Sequence, residues 1–447
     1  MTLRLEIFYP DTQIILRMFR PSDALDEPFK HSDSVAETRS SLCAPDHTAG
    51  LSSICRRLKF PIFNHSVQSI PHHQPIQAKM MPKHNAPQIG LALQGGGAHA
   101  AFTWGVLDRL LDEVEQDRLV ITSISGTSGG ALNGAACAYG LHRSVDDARK
   151  ALEQLWTLVG RRSYWHPFYN FPTDFLGAPF RWNVDLNPFV FGQGMLQQIS
   201  SPYVTPWLTS PLTSIMEQVI PDFAVINRHE HGTPELYVAA TNVNLTALRI
   251  FEPAEIDARV LTASTCLPTL FEAVEIDGEF YWDGGYMANP ALDPLVDSTS
   301  DILSVLIDPL FREQEPPQFP RQIVNRINEV SFGASWVSEV RQIELINTLS
   351  DENPGLLHRG KPYTRKRFHA IRSDRFMSQI GAASKGTPSI EFFRALRDTG
   401  RDAADSWVRD CLPQVGKHST FNLDELVNAR MKGTSSAMRT VRRHGAQ

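Results

Sequence analysis

Ser128 lies between glycines in the run Gly126-Thr127-Ser128-Gly129-Gly130. A serine acts as a nucleophile when its Oγ is lifted clear of the backbone and a nearby base takes its proton. A G-x-S-x-G turn between a strand and a helix meets the first need, because the glycines let the two backbones pass closely. The flanking residues fit that context. Leu119–Ser125 is an apolar run that reads as a buried strand, and Ala131–Ala138 is small and helix-compatible. A helix N-terminus behind the serine favours developing negative charge. Alone, the same five residues also suit a small-residue turn that packs a helix on a sheet.

A second glycine cluster, Gly95-Gly96-Gly97-Ala98-His99, follows the strand-like run Ile89–Gln94. A helical pattern comes next, with Phe102, Val106, Leu110 and Val114 at four-residue steps and Asp108, Arg109, Asp112 and Glu113 on the other face. Glycines at such a junction leave backbone N–H groups facing an anion. In acyl transfer that anion is the tetrahedral oxyanion. Gly95-x-Gly97-x-x-Ala100 also matches a dinucleotide fingerprint, but that reading needs an acidic residue at the end of the next strand. The elbow stands there instead, so nucleotide binding ranks below acyl transfer.

The third element is Asp283, 155 residues after the serine, in Tyr281-Trp282-Asp283-Gly284-Gly285. Asn289-Pro290 then marks a turn. Taken by itself, Asp-Gly-Gly is more often a solvated hairpin turn than a base.

Together the three elements resemble the patatin-like phospholipase family, in order and spacing, over roughly Pro87 to Leu310. The resemblance implies a three-layer α/β/α fold with a mainly parallel sheet. It also implies a serine–aspartate dyad without histidine, with Ser128 as nucleophile and Asp283 as general base. Backbone amides of Gly95, Gly96, Gly97 and Ala98 would form the oxyanion hole, and Gly126, Thr127, Gly129 and Gly130 the elbow. The implied substrate is a lipid or phospholipid acyl ester, with no cofactor and no metal. One position departs from the family pattern: His99 stands where an Arg or Lys is usual, and a histidine is only partly charged at neutral pH.

Two other functions compete. A Ser-His-Asp esterase would need His358, His369 or His418 as its base, and none of these sits in a recognisable catalytic turn. A silent lipid-binding module would have lost a motif residue, and all are present.

The elements that would hold this chemistry alternate. Val145–Val159 reads as a helix, Glu235–Thr241, Arg249–Glu252 and Ile302–Ile307 as strands, and Asp257–Ser264 as a short helix. Between Tyr164 and Phe191 lie ten aromatic residues and four prolines, which break any regular helix and suggest a lid or an anchored loop. Ile323–Leu349 and Ile390–Leu412 read as long amphipathic helices. They define a mainly helical C-terminal region over 311–447, after a catalytic region at 87–310 and a poorly ordered extension at 1–86.

Composition narrows the field. A net charge of −6 gives no general case for nucleic-acid binding. Five scattered cysteines without C-x-x-C argue against a disulfide framework or zinc site and fit a reducing compartment. No apolar run approaches the roughly 20 residues of a membrane span. A proline and an acidic residue interrupt the first ten residues, which therefore do not read as a signal peptide. These features lead us to expect a cytoplasmic protein. The basic segment Arg359, Lys361, Arg365, Lys366, Arg367, Arg372 and Arg375 raises the expectation of a peripheral contact with anionic membranes.

Overall fold

In the computed structural model, the sheet is built from β1 (Gln88–Leu93), β2 (Val120–Thr127), β3 (Glu235–Asn242), β4 (Ala247–Phe251), β5 (Val274–Ile276), β6 (Glu279–Asp283) and β7 (Asp301–Leu306). The short pair β8 (Leu357–His358) and β9 (Lys361–Pro362) stands apart, and β10 (Arg367–Arg372) returns to the main sheet. The strand order is β10-β7-β1-β2-β3-β6-β5, with β4 on the other edge of β3. Pairings among β10, β7, β1, β2 and β3 are parallel, and those of β4, β5 and β6 are antiparallel. The described residues are 86–161, 182, 201–204, 210–228, 233–312, 316–318, 320–387 and 389–422. The extension before Ala86, the aromatic segment apart from Trp182, and the chain beyond Asn422 lie outside them.

Helices cover both faces. They are α1 (Ala101–Glu115), α2 (Gly129–Leu141), α3 (Val145–Arg161), α4 (Leu212–Val219), α5 (Ala224–Asn227), α6 (Ala258–Ser264), α7 (Asp293–Ser298), α8 (Pro320–Glu352), α9 (Asp374–Met377) and α10 (Ile390–Asp410). Successive strand side chains point to opposite faces. Ile89, Leu91 and Leu93 of β1 therefore join Leu303 and Val305 of β7 in a core with α1, α2, α3 and α10. Ala92, Ile302 and Leu306 face the other way, against Leu292 and Leu295 and against Trp336, Val340 and Ile343 of α8. Both faces of a parallel sheet are buried, which explains why its strands read as unbroken apolar runs. Trp336 is fully buried and its indole N–H donates to Ser304 Oγ at 2.9 Å.

The three-layer expectation holds, and element limits shift by a few residues. All described residues fall within one compact unit, Ile76–Gln447. The C-terminal region is not purely helical. Its strand β10 completes the main sheet, and its helix α10 packs along α1. Trp182 is buried with its ring 5.1 Å from Phe392 of α10, which fits an anchoring role for that part of the aromatic segment. No helix among the described residues is long and apolar enough to cross a membrane.

Candidate active site

β2 ends at Thr127 and α2 begins at Gly129, so Ser128 is the whole of the turn. Its backbone lies at φ 53° and ψ −126°, a region that costs a non-glycine residue about 1–3 kcal/mol. Neighbours hold it there. The Ser128 N–H donates to Ser264 Oγ at 2.9 Å, and Ser264 Oγ donates to the Ala239 carbonyl at 2.7 Å. A side chain at Gly130 would meet the Leu93 carbonyl at 2.2 Å, so β1 and α2 can approach this closely only through a glycine.

Asp283 is the last residue of β6 and is buried. Its N–H donates to the Cys266 carbonyl at 2.8 Å, and its carbonyl accepts from Thr241 Oγ1 at 2.8 Å. Its Oδ1 accepts from the Gly285 N–H at 2.7 Å, and the Ser128 side chain lies beside the carboxylate. Burial raises its pKa from 3.8 to about 6, against the opposing pull of the Ser128 hydroxyl, the Gly285 amide and the Lys385 charge. A carboxylate so placed is a stronger base than one in water, and a serine hydroxyl beside it can pass it a proton.

The meeting of these residues follows from strand register. β2 pairs with β3 up to Thr127 opposite Ala239, while β4 occupies the other edge of β3 from Val238 to Asn242. β6 pairs with β3 from Ala240, opposite Asp283, to Asn242. β2 and β6 thus share one edge of β3 and abut end to end. Ser125 Oγ and Thr127 Oγ1 of β2 then donate to the carbonyls of Ala291 and Ala288, fastening the segment after Asp283 to the strand before Ser128.

The glycine loop lies against the serine. A Cβ at Gly95 would fall 2.6 Å from Ser128 Cβ, and Gly97 N lies 3.7 Å from where a Cβ on Gly129 would stand. Gly97 begins the 3-10 turn Gly97–Ala100 at φ 55°, a left-handed conformation that favours glycine. Gly95 needs a correction: its N–H donates to Asn289 Oδ1 at 2.7 Å and is not available to an oxyanion. The amides of Gly96, Gly97 and Ala98 have no acceptor among the described residues.

His99 is not a cation here. It is buried, and its pKa lies well below 6.5 because of that burial and then the nearby Lys385 charge. Ser384 Oγ already donates to the carbonyls of Ile380 and Gly381, so His99 Nε2, at 2.6 Å, must be the donor to it. Two of the triad candidates sit beside carboxylates. His369 Nε2 is 3.0 Å from Asp301 Oδ1, at the start of β7, and His358 Nε2 lies 3.5 Å from Asp297 Oδ1.

The basic segment is largely neutralised. Arg359 pairs with Asp293 and Asp297, Arg365 with Glu344 and Asp351, Arg367 with Asp301, and Arg372 with Asp374. Lys366 is buried and donates to the Thr299 carbonyl.

Several residues near the site carry no motif. Asn289 clamps the glycine loop, and Gln94 Oε1 accepts from the N–H groups of Ile307 and Asp308. Phe332 of α8 presses on Gly285, with its ring 5.7 Å from Tyr286. Asn289 could have been suspected from its place before Pro290. Phe332 is one apolar residue in a long helix and gives no signal.

Residues 91–296 match the family model described as Patatin-like phospholipase. No curated protein matches the chain. Among solved structures it is similar to VipD from Legionella pneumophila, at 16% identity and a TM-score of 0.31 over 70% of this chain and 67% of that one. It is also similar to the type III effector protein ExoU, at 13% identity and a TM-score of 0.30 over 79% of this chain and 62% of that one. For full-length ExoU of Pseudomonas aeruginosa in complex with SpcU the values are 14% and 0.26, over 72% and 53%. The glycine loop, Ser128 and Asp283 all lie within the matched span, and the chain therefore carries a domain of the patatin-like phospholipase family over residues 91–296.

Proposed function

We propose that this protein hydrolyses the carboxylic ester of a lipid through an acyl-enzyme on Ser128, with Asp283 as general base. The observation that carries this reading is the meeting of Ser128, on its strained strand-to-helix turn, with a buried carboxylate whose pKa has risen to about 6. Ser128 Oγ attacks the ester carbonyl as its proton passes to Asp283. The carbonyl oxygen becomes an oxyanion, met by the amides of Gly96, Gly97 and Ala98. Collapse expels the alcohol, which takes the proton from Asp283. Water then attacks the acyl-enzyme, giving its proton to Asp283, and the acid leaves as Ser128 regains a proton.

The family supports a lipid as substrate, and so does the surface beside the base. Tyr286 is half-exposed and packs at a tilt against Phe332 three residues from Asp283, offering aromatic area to an acyl chain.

The test is labelling with a serine-reactive fluorophosphonate and peptide mapping, beside hydrolysis of phospholipids, lysophospholipids and neutral esters. Label on Ser128, lost together with hydrolysis in Ser128→Ala, is the expected result. A folded Ser128→Ala protein that keeps near wild-type turnover would overturn the reading.

A further inference from the structure

The domain match ends at residue 296, yet a charged side chain from far beyond it reaches the site. Lys385 lies in the 3-10 turn Ala382–Gly386. Its carbonyl would be 2.5 Å, and its Cβ 3.6 Å, from a Cβ placed on Gly97. That turn is therefore packed directly on the glycine loop. The Lys385 ammonium is 2.6 Å from Oδ1 of Asp308, two residues past the end of β7. It also lies 5.5 Å from the centre of the Phe332 ring, which itself presses on Gly285 beside Asp283. The lysine head thus lies between the end of β7 and Phe332 of α8, while its backbone packs on the glycine loop and Phe332 packs on the Asp283 turn.

Around Asp283 the other polar and titratable neighbours are Ser128, the Gly285 amide, Cys266 and Tyr286. None of them is a cation. His99, the nearest basic residue on the glycine loop itself, is neutral. Asp308, the partner of Lys385, is buried, is flanked by Arg326 and Glu329, and keeps its second oxygen without a hydrogen-bond partner. The pair is asymmetric: the carboxylate is buried, while the lysine side chain is about one-fifth exposed.

We propose that Lys385 is a positioning residue of the candidate site, whose ammonium, anchored by Asp308, supplies the fixed positive charge beside Asp283 and the glycine loop. It rests on the dyad reading of Ser128 and Asp283. In a water-poor site an ammonium favours the ionised carboxylate and the developing oxyanion together. The residues at 91–296 then hold the reacting groups but not this charge, which arrives with the C-terminal region.

The experiment reads Asp283 directly, without turnover. Protein labelled with 13C at aspartate Cγ is titrated by NMR, and the Asp283 signal is assigned by its loss in Asp283→Asn. Lys385→Met should raise the Asp283 midpoint by about one unit, as loss of a nearby opposite charge does. Lys385→Arg should leave it near wild type, and Asp308→Asn, which removes the counter-ion, should lower it. The acid limb of kcat/KM should move in the same directions. A folded Lys385→Met protein with an unmoved Asp283 midpoint overturns the proposal. If Lys385→Met does not fold, Lys385→Gln and Asp308→Asn decide by the same midpoint. Absence of both Ser128 labelling and ester hydrolysis in the wild type would instead overturn the hydrolase reading, whatever the titration shows.

Discussion

Ser128 and Asp283 meet because the strands that end at them abut on one edge of β3, with Thr127 opposite Ala239 and Asp283 opposite Ala240. The two residues are far apart in sequence, yet adjacent rungs of one strand bring them together. Rigid sheet rather than mobile loop holds both partners, which limits how far either can drift from hydrogen-bond range.

The backbone at Ser128 stores strain, since φ is 53° at a non-glycine residue. Ser128→Gly should relieve it and raise the melting midpoint, by about 1 kcal/mol of stability, while abolishing hydrolysis. Calorimetry of Ser128→Gly beside Ser128→Ala checks this. A glycine variant less stable than the alanine variant would show that the turn is unstrained.

Burial raises the Asp283 pKa to about 6, so the base is ionised only above that pH. The acid limb of kcat/KM should have its midpoint near pH 6 rather than near 4. The stability sign follows from the same shift. The folded state holds this proton more tightly than the unfolded chain, so Asp283 costs nothing below pH 3.8, and its full penalty applies above about pH 6. At pH 8 that penalty is on the order of 3 kcal/mol. Asp283→Asn should therefore be inactive yet more stable than wild type at pH 8, with the advantage vanishing near pH 3.5. Urea titrations at the two pH values test it, and an advantage independent of pH would refute the buried-base account.

Asn289 holds the glycine loop by accepting the Gly95 N–H at 2.7 Å. Asn289→Ala leaves that buried amide unpaired, at a cost of about 1–3 kcal/mol. The loop that offers Gly96, Gly97 and Ala98 should then lose its placement. We expect kcat to fall about 10- to 100-fold with little change in KM, because oxyanion contacts act mainly in the transition state. Steady-state kinetics separate this from a binding defect, in which KM alone would rise.

Two histidines of the competing triad lie beside carboxylates of α7 and β7, His358 at Asp297 and His369 at Asp301. His358→Ala, His369→Ala and His418→Ala should each keep most activity. His369→Ala should nevertheless lose stability, because His369 Nε2 is buried against Asp301 at 3.0 Å. A folded variant of any of the three with no turnover would replace the dyad by a triad.

The sequence by itself determined the site's local parts. Gly126 to Gly130 and Gly95 to Gly97 are legible because close backbone approach and positive φ demand glycine, a constraint local to the residue. Apolar runs announced the buried parallel strands for a similar reason: both their faces lack water. Tertiary structure decided what depends on partners distant in the chain. It gave the Gly95 amide to Asn289, made His99 neutral by burial, and paired the basic segment with carboxylates from α7, α8 and β7. It also placed a strand of the C-terminal region at the edge of the main sheet and a helix of it over α1. Charge, burial and pairing belong to neighbourhoods in space, and residue types along a chain do not fix which neighbourhood folding assigns them.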